Sequence, residues 1–290
     1  MSPPPDAHVY GPGQCLTLAE MGWVQVSVEW EICESGPARA DRTVLLLPGG
    51  LCRARSYAEL MAQPVLAGVR LVAVTLPGHG GTPPPEDFSI ENYARLAAKL
   101  AADLGCDAVA GFSIGASVAL EMAASGAFPG PVVLLGISLS PRDEPAFLRI
   151  INRLGGVLGS LPSAAMLKMI PLAAKHARVP ADRRAELIAD LRANDPAIMR
   201  QIFRGYLSYL GRHHAPAARL CDAGVPAWVV HAEKGDGGLT GTERRTLEEC
   251  AHTRVITIPG TSYLIPNEEP ERVAACLVEA LGPGARARRH

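Results

Sequence analysis

Short apolar runs closed by glycine or proline recur along this chain. Thr43-Val44-Leu45-Leu46-Leu47, Val69 to Val74, Asp107 to Ala110, Val132 to Ile137, Ala227 to His231 and Arg254 to Ile258 are of this kind. An uninterrupted apolar run marks a strand buried on both faces, as in a parallel sheet. Cys15 to Leu18 and Val24 to Trp30 predict two more strands around Met21-Gly22, the second alternating as an edge strand does. Helices are predicted between the runs. One opens at a Ser56–Glu59 capping box and continues to about Leu66, and one follows Ser89 from Glu91 to Leu104. Others run through Ser117 to Met122, after Thr240, and from Glu269 to Leu281 with Pro270 in its first turn. Strands alternating with helices predict a parallel sheet with right-handed crossovers.

The rhythm breaks from about Leu139 to His214, where no strand pattern occurs. Helical periodicity replaces it over Pro145–Leu154, Ala164–Ala174, Ala181–Ala193 and Pro196–Leu210, with Gly155-Gly156, Gly159 and Pro162 as interruptions. The first half, Phe147 to Ile170, is rich in Leu, Ile and Met, which suits packing on the body of the protein or an apolar ligand. The domain division expected is a core of residues 1–138 and 216–290, with a helical insertion over 139–215.

The candidate chemistry centres on Gly111-Phe112-Ser113-Ile114-Gly115, which joins a predicted strand to a predicted helix. G-x-S-x-G between strand and helix is the context of a nucleophile elbow. The glycines permit a tight turn, and the hydroxyl stands at a helix N-terminus, where developing negative charge is favoured. Pro48-Gly49-Gly50-Leu51 follows a central strand and reads either as a plain turn or as bared N–H groups for an oxyanion.

With these segments in order, the chain resembles the α/β-hydrolase superfamily, in the subgroup with a helical cap after the sixth strand. The resemblance rests on Leu47-Pro48-Gly49-Gly50, Leu76-Pro77-Gly78-His79-Gly80, Gly111 to Gly115, Glu233-Lys234-Gly235-Asp236 and Ile258-Pro259-Gly260. It implies an α/β-hydrolase fold, with a mostly parallel eight-stranded sheet and an inserted helical cap. It implies Ser113 as nucleophile, the N–H groups of Ile114 and Gly50 (or Leu51) as oxyanion donors, and Asp236 as the acid. Where the resemblance places the catalytic histidine, this chain has Tyr263. An imidazole of pKa near ~6.5 takes a proton readily, whereas a phenol of pKa near ~10 donates one. His79 is the alternative base; it otherwise reads as a turn residue. Asp143 is a fallback acid. His231 reads as a core residue, His213-His214 as a solvated hinge, and Cys52 as packing.

Three functions follow as expectations. The first is cleavage of a small, largely apolar ester, thioester or lactone through Ser113 with an atypical triad. The second is a non-hydrolytic lyase, isomerase or cyclase using Ser113 and Tyr263. The third is a ligand-binding protein with a dead site.

Composition narrows the partners. Lys+Arg 28 against Asp+Glu 29 gives a net charge of -1, which offers nothing to nucleic acid. The longest uncharged run, Met122 to Ser140, contains Pro129 and Pro131, so no membrane partner is expected. Met1 to Asp6 reads as a loose polar tail without a targeting pattern, and Gly284 to His290 as a frayed basic end. Seven cysteines without C-x-x-C spacing read as free thiols in a reducing cytoplasm. No cofactor or metal is expected, and the sequence leaves the oligomeric state open.

Overall fold

The strands Cys15–Thr17 (β1), Glu31–Ser35 (β2), Thr43–Leu47 (β3), Arg70–Thr75 (β4), Ala108–Phe112 (β5), Val132–Leu135 (β6), Ala227–Lys234 (β7) and Thr253–Thr261 (β8) form one sheet. The computed structural model describes residues 15–17, 30–234 and 238–282. The spatial order is β1-β2-β4-β3-β5-β6-β7-β8. The first two strands pair antiparallel; β4, β3 and β5 through β8 run parallel.

Successive residues of β3 point to opposite faces, and both faces are covered. Leu45 and Leu47 join Val109 and the helix Ile90–Asp103 on one side. Val44 and Leu46 join Ala108, Ala110 and Leu277 on the other. That two-sided burial is why these strands read as unbroken apolar runs.

The helices are Ala58–Met61 (α1), Ile90–Asp103 (α2), Ile114–Ala124 (α3), Ala146–Leu158 (α4), Leu161–Ala173 (α5), Ala181–Arg192 (α6), Pro196–Arg212 (α7), Pro216–Asp222 (α8), Gly241–Glu248 (α9), Ile265–Glu268 (α10) and Pro270–Leu281 (α11). Helices α4 to α8 all lie between β6 and β7 in sequence. Ser89 Oγ accepts from Asn92 N–H to open α2, and Thr240 with Glu243 makes a full capping box on α9, both as expected.

Several expectations are corrected. Ser56 does not cap a helix: a 3₁₀ turn already begins at Ala54, so Ser56 sits inside it. The Gly155-Gly156 pair does not interrupt α4, which continues to Leu158. Strand β8 extends past Pro259-Gly260 to Thr261, leaving a shorter loop. Strand β2 at Glu31–Ser35 and helix α8 were not expected; the first mixes charged and apolar residues, and the second is one short segment after Pro216. Cys33 is disulfide-bonded, so the seven cysteines are not all free thiols. The antiparallel register sets Cys15 directly across from Cys33, a proximity their separation in sequence hides. The two terminal tails and most of the strand expected at Val24 to Trp30 lie outside the described residues.

Candidate active site

Ser113 joins β5 to α3 with φ 52° and ψ -116°. This is a left-handed φ in a residue with a side chain, a conformation that costs about 1–3 kcal/mol and persists only where the surroundings enforce it. The enforcement is visible. Ser113 N–H donates to Leu135 O at 2.9 Å, anchoring the turn to β6. A Cβ on Gly111 would collide with the Gly115 carbonyl, and one on Gly115 with the carbonyls of Leu47 and Pro48. Both glycines of G-x-S-x-G are therefore required by backbone closeness. Ser113 Oγ makes no hydrogen bond among the described residues.

The loop after β3 lies against the residues flanking Ser113. A Cβ on Gly49 would meet Phe112 Cδ1 at 2.8 Å, and one on Gly50 would meet Ile114 Cδ1 at 2.5 Å. Gly50 and Ile114 are thus brought into contact. Ile114 is the first residue of α3, so its N–H has no intrahelical acceptor. The Gly50 N–H likewise has no partner among the described residues. Leu51 has φ 67°, and Cys52 N–H closes the turn onto Gly49 O at 3.1 Å. Positive φ at the third residue is the geometry of a type II turn, which here turns on a buried leucine.

Tyr263 follows β8 at the start of the loop to α10 and is 49% exposed. Among the described residues it has no hydrogen-bond partner, and none links it to Ser113. Its neighbours Leu264 and Pro266 share a cavity of ≈ 30 Å³ with Cys52, Phe112, Asp190 and Leu191. The Tyr263 loop therefore meets the turn after β3, the residue before Ser113 and helix α6. Asp236 lies outside the described residues.

A model of the Alpha/beta hydrolase family matches residues 44–276. The chain belongs to this family. Among curated proteins none matches it in sequence. Solved structures share its fold at low identity. A thermophilic esterase from Thermogutta terrifontis superposes with a TM-score of 0.70 at 17% identity, covering 93% of this chain and 98% of its own. A variant of AqdC, solved with its substrate in a study of recognition and ring-cleavage of the Pseudomonas quinolone signal, gives 0.69 at 19%, covering 92% and 99%. The thioesterase domain from the curacin biosynthetic pathway gives 0.63 at 17%, covering 91% and 98%.

The other candidate groups of this α/β hydrolase are otherwise engaged. His79 is fully buried; its Nδ1 faces Pro77 O at 3.3 Å, and its ring meets Tyr93 edge-on. Burial lowers its pKa to about 4, so at neutral pH it is a weak base, and its Nε2 has no partner among the described residues. Asp143 Oδ2 accepts from Ser140 N–H at 2.6 Å and Leu139 N–H at 3.1 Å, so it closes a local turn. His231 is a buried strand residue of β7, as expected. Burial pushes the Cys52 thiol up to about 12, with the nearby Asp190 carboxylate adding to the effect, so it stays protonated. No group of metal ligands occurs among the described residues.

The contacts that fasten α6 to the loop after β3 join residues far apart in the chain and have no local signature. Asp190 is buried and accepts from Nε and Nη2 of Arg55, and Arg183 Nε donates to Glu59 at 2.6 Å. Asn194, just past α6, is buried and fully used. Its Nδ2 donates to Leu51 O at 2.9 Å and its Oδ1 accepts from Gly80 N–H at 2.7 Å. Only a buried asparagine in a loop, Ala193-Asn194-Asp195, would have pointed to it.

Proposed function

We propose that this family member cleaves a small, largely apolar ester, thioester or lactone through Ser113. In this reading Ser113 Oγ forms a bond to the carbonyl carbon, and the carbonyl π pair moves onto oxygen. That oxyanion lies between the N–H groups of Gly50 and Ile114, the kind of donor pair that contributes about 2.7–4 kcal/mol per donor to acyl transfer. The serine proton passes to the departing alkoxide or thiolate through the Tyr263 hydroxyl, which gives up one proton as it receives another. Water then adds to the acyl-enzyme, and its spare proton returns to Ser113 Oγ. Asp236 is the acidic partner in this scheme, and residues 139–215 act as the cap over the substrate.

The observation that carries the reading is the enforced left-handed backbone of Ser113 beside a Gly50 packed on Ile114. The esterase and thioesterase among the structural neighbours support the same class of reaction. A phenol is a poorer base than an imidazole, so the reading expects activated leaving groups to be preferred.

The test is hydrolysis of p-nitrophenyl esters and acyl thioesters by the wild type, Ser113→Ala and Tyr263→His. The expected result is turnover that Ser113→Ala abolishes and Tyr263→His raises by about 10² or more, the size of a general-base contribution. Turnover that survives Ser113→Ala would favour a non-hydrolytic role, in which Ser113 and Tyr263 position and protonate a carbonyl substrate. The half-exposed phenol is the feature that suits that second reading.

A further inference from the structure

We propose that the outer face of α4 and α5 docks on an anionic lipid surface. The proposal stands apart from the acyl chemistry and does not need it.

The first observation is an inverted amphipathic helix. Phe147, Ile150, Leu154, Val157 and Leu158 fall three or four residues apart on α4, so they form one stripe. Such a stripe ordinarily faces the core. Here it faces outward: Val157 is 85% exposed, Ile150 55% and Phe147 50%. The helix turns Leu148 and Gly155 inward instead. Helix α5 continues the surface with Leu161, 69% exposed, and Met169, 54% exposed. Elsewhere among the described residues, only Val65 and Tyr263 are exposed large apolar side chains.

The second observation is charge of one sign. From Pro145 to Ala181 there is no Asp or Glu, while Arg149, Arg153, Lys168, Lys175 and Arg178 all occur, in a chain whose net charge is -1. Arg178 is neutralised by Glu268 and Glu269; Arg153, Lys168 and Lys175 make no ion pair among the described residues.

The third is a cleft of ≈ 370 Å³ between α4 and α7, lined by Asn152, Arg153, Gly156, Arg200 and Arg204. No carboxylate lines it, and none of its arginines makes an ion pair among the described residues. The Arg200 stem crosses Gly155, where an added Cβ would lie 3.4 Å from its Cδ and Nε. Three guanidiniums around one opening suit a phosphate.

The charge pattern selects the occupant. A second copy on a two-fold axis would set this cationic face against itself. A folded acidic partner would need a groove shaped to a convex apolar ridge. A lipid surface needs no such groove: the apolar side chains enter the acyl boundary and the cations meet headgroup phosphates. No helix among the described residues is long and apolar enough to cross a membrane, so the contact is with the surface. The expectation of no membrane partner rested on the lack of a spanning run, which a surface contact does not need.

The experiment is co-sedimentation of the full chain with vesicles of phosphatidylcholine alone and with 30 mol% phosphatidylglycerol, where that fraction is roughly the anionic load that draws cationic segments. The expected result is at least about tenfold stronger binding to the anionic vesicles, weakened about tenfold by 0.5 M NaCl. Val157→Asp with Leu161→Asp should cost about tenfold or more in binding, with an unchanged urea midpoint because both side chains are exposed. Arg153→Ala with Arg204→Ala should lose the preference for anionic lipid, and Ser113→Ala should bind as the wild type does. Equal binding to both vesicles, or wild-type binding by the aspartate variant, overturns the proposal. Light scattering that shows a dimer made monomeric by the aspartates assigns the face to a second copy and also overturns it. So does titration of inorganic phosphate that fills the cleft while vesicles stay unbound, which would leave a soluble-anion site only.

Discussion

Asn194 Nδ2 donates to the carbonyl oxygen of Leu51 at 2.9 Å, while Asn194 Oδ1 accepts from the Gly80 N–H at 2.7 Å. One buried amide thus ties the end of α6 to the turn after β3 and to the loop after β4. The Leu51 carbonyl belongs to the same peptide as the Cys52 N–H that closes the turn. Fixing that peptide fixes the turn that presents Gly50 N–H. Asn194→Ala should therefore destabilise the protein by about 2 kcal/mol, since it strands a buried carbonyl and a buried N–H. If Gly50 N–H is the oxyanion donor proposed above, the variant should also lower kcat for an activated ester about tenfold with little change in KM. Urea unfolding and steady-state kinetics check both. A residue that only held helix and loop together would move the urea midpoint and leave kcat alone.

A side chain at position 50 would force the Ile114 side chain to shift. A Cβ there would lie 2.5 Å from Ile114 Cδ1 and 3.3 Å from Cγ1. Gly50→Ala should cost about 1–3 kcal/mol by overpacking. Ile114→Val removes the clashing Cδ1, so the double variant should recover at least about 1 kcal/mol relative to additivity. A double-mutant cycle in urea measures the coupling; simple additivity would mean the two residues do not touch.

The Ser113 backbone stores strain that a glycine would release. Ser113→Ala keeps a Cβ at φ 52°, whereas Ser113→Gly does not. Ser113→Gly should therefore be the more stable of the two by about 1 kcal/mol, although both lack the hydroxyl. Melting temperatures of the pair decide it. A glycine variant less stable than the alanine variant would show that the elbow is unstrained.

His79 carries a pH dependence. Burial lowers its pKa to about 4, whereas an unfolded histidine titrates near ~6.5. The unfolded state binds the proton more tightly, so protonation favours unfolding. The neutral ring's full stabilising effect is present above about pH 6.5 and is lost as pH falls toward 4, in all about 3 kcal/mol. Urea midpoints between pH 7 and 4 should fall accordingly, and His79→Gln should flatten that part of the profile. An unchanged profile in the variant would place the acid sensitivity elsewhere.

The sheet and the elbow were legible because their causes are local. Strands β3 to β7 are covered on both faces, so their residues are apolar without alternation; Gly111 and Gly115 mark a turn that tolerates no side chain. The departures arose where distant residues decide. Strand β2 owes its place to pairing with β4, not to its own Glu31-Ile32-Cys33-Glu34-Ser35 pattern. Ser56 is held in a 3₁₀ turn whose Ser56 carbonyl accepts from Asn267, far along the chain. His79 was visible as a histidine, but its burial against Tyr93 of α2 was not. Asn194 and Asp190 read as ordinary polar residues of a helix end until Leu51, Gly80 and Arg55 are brought to them. In α4 the apolar stripe was legible but its facing was left open, since a stripe of apolar residues does not say whether protein covers it.

The proposed function depends on half-buried Ser113 acting as a nucleophile, with the N–H groups of Gly50 and Ile114 as oxyanion donors. Incubating the native protein with a fluorophosphonate probe and locating the adduct by peptide mass spectrometry tests it most directly. The expected result is a single adduct on Ser113, absent in Ser113→Ala and slower to form in Asn194→Ala. A folded protein that stays unlabelled at Ser113, or that carries the probe on another residue, would contradict it.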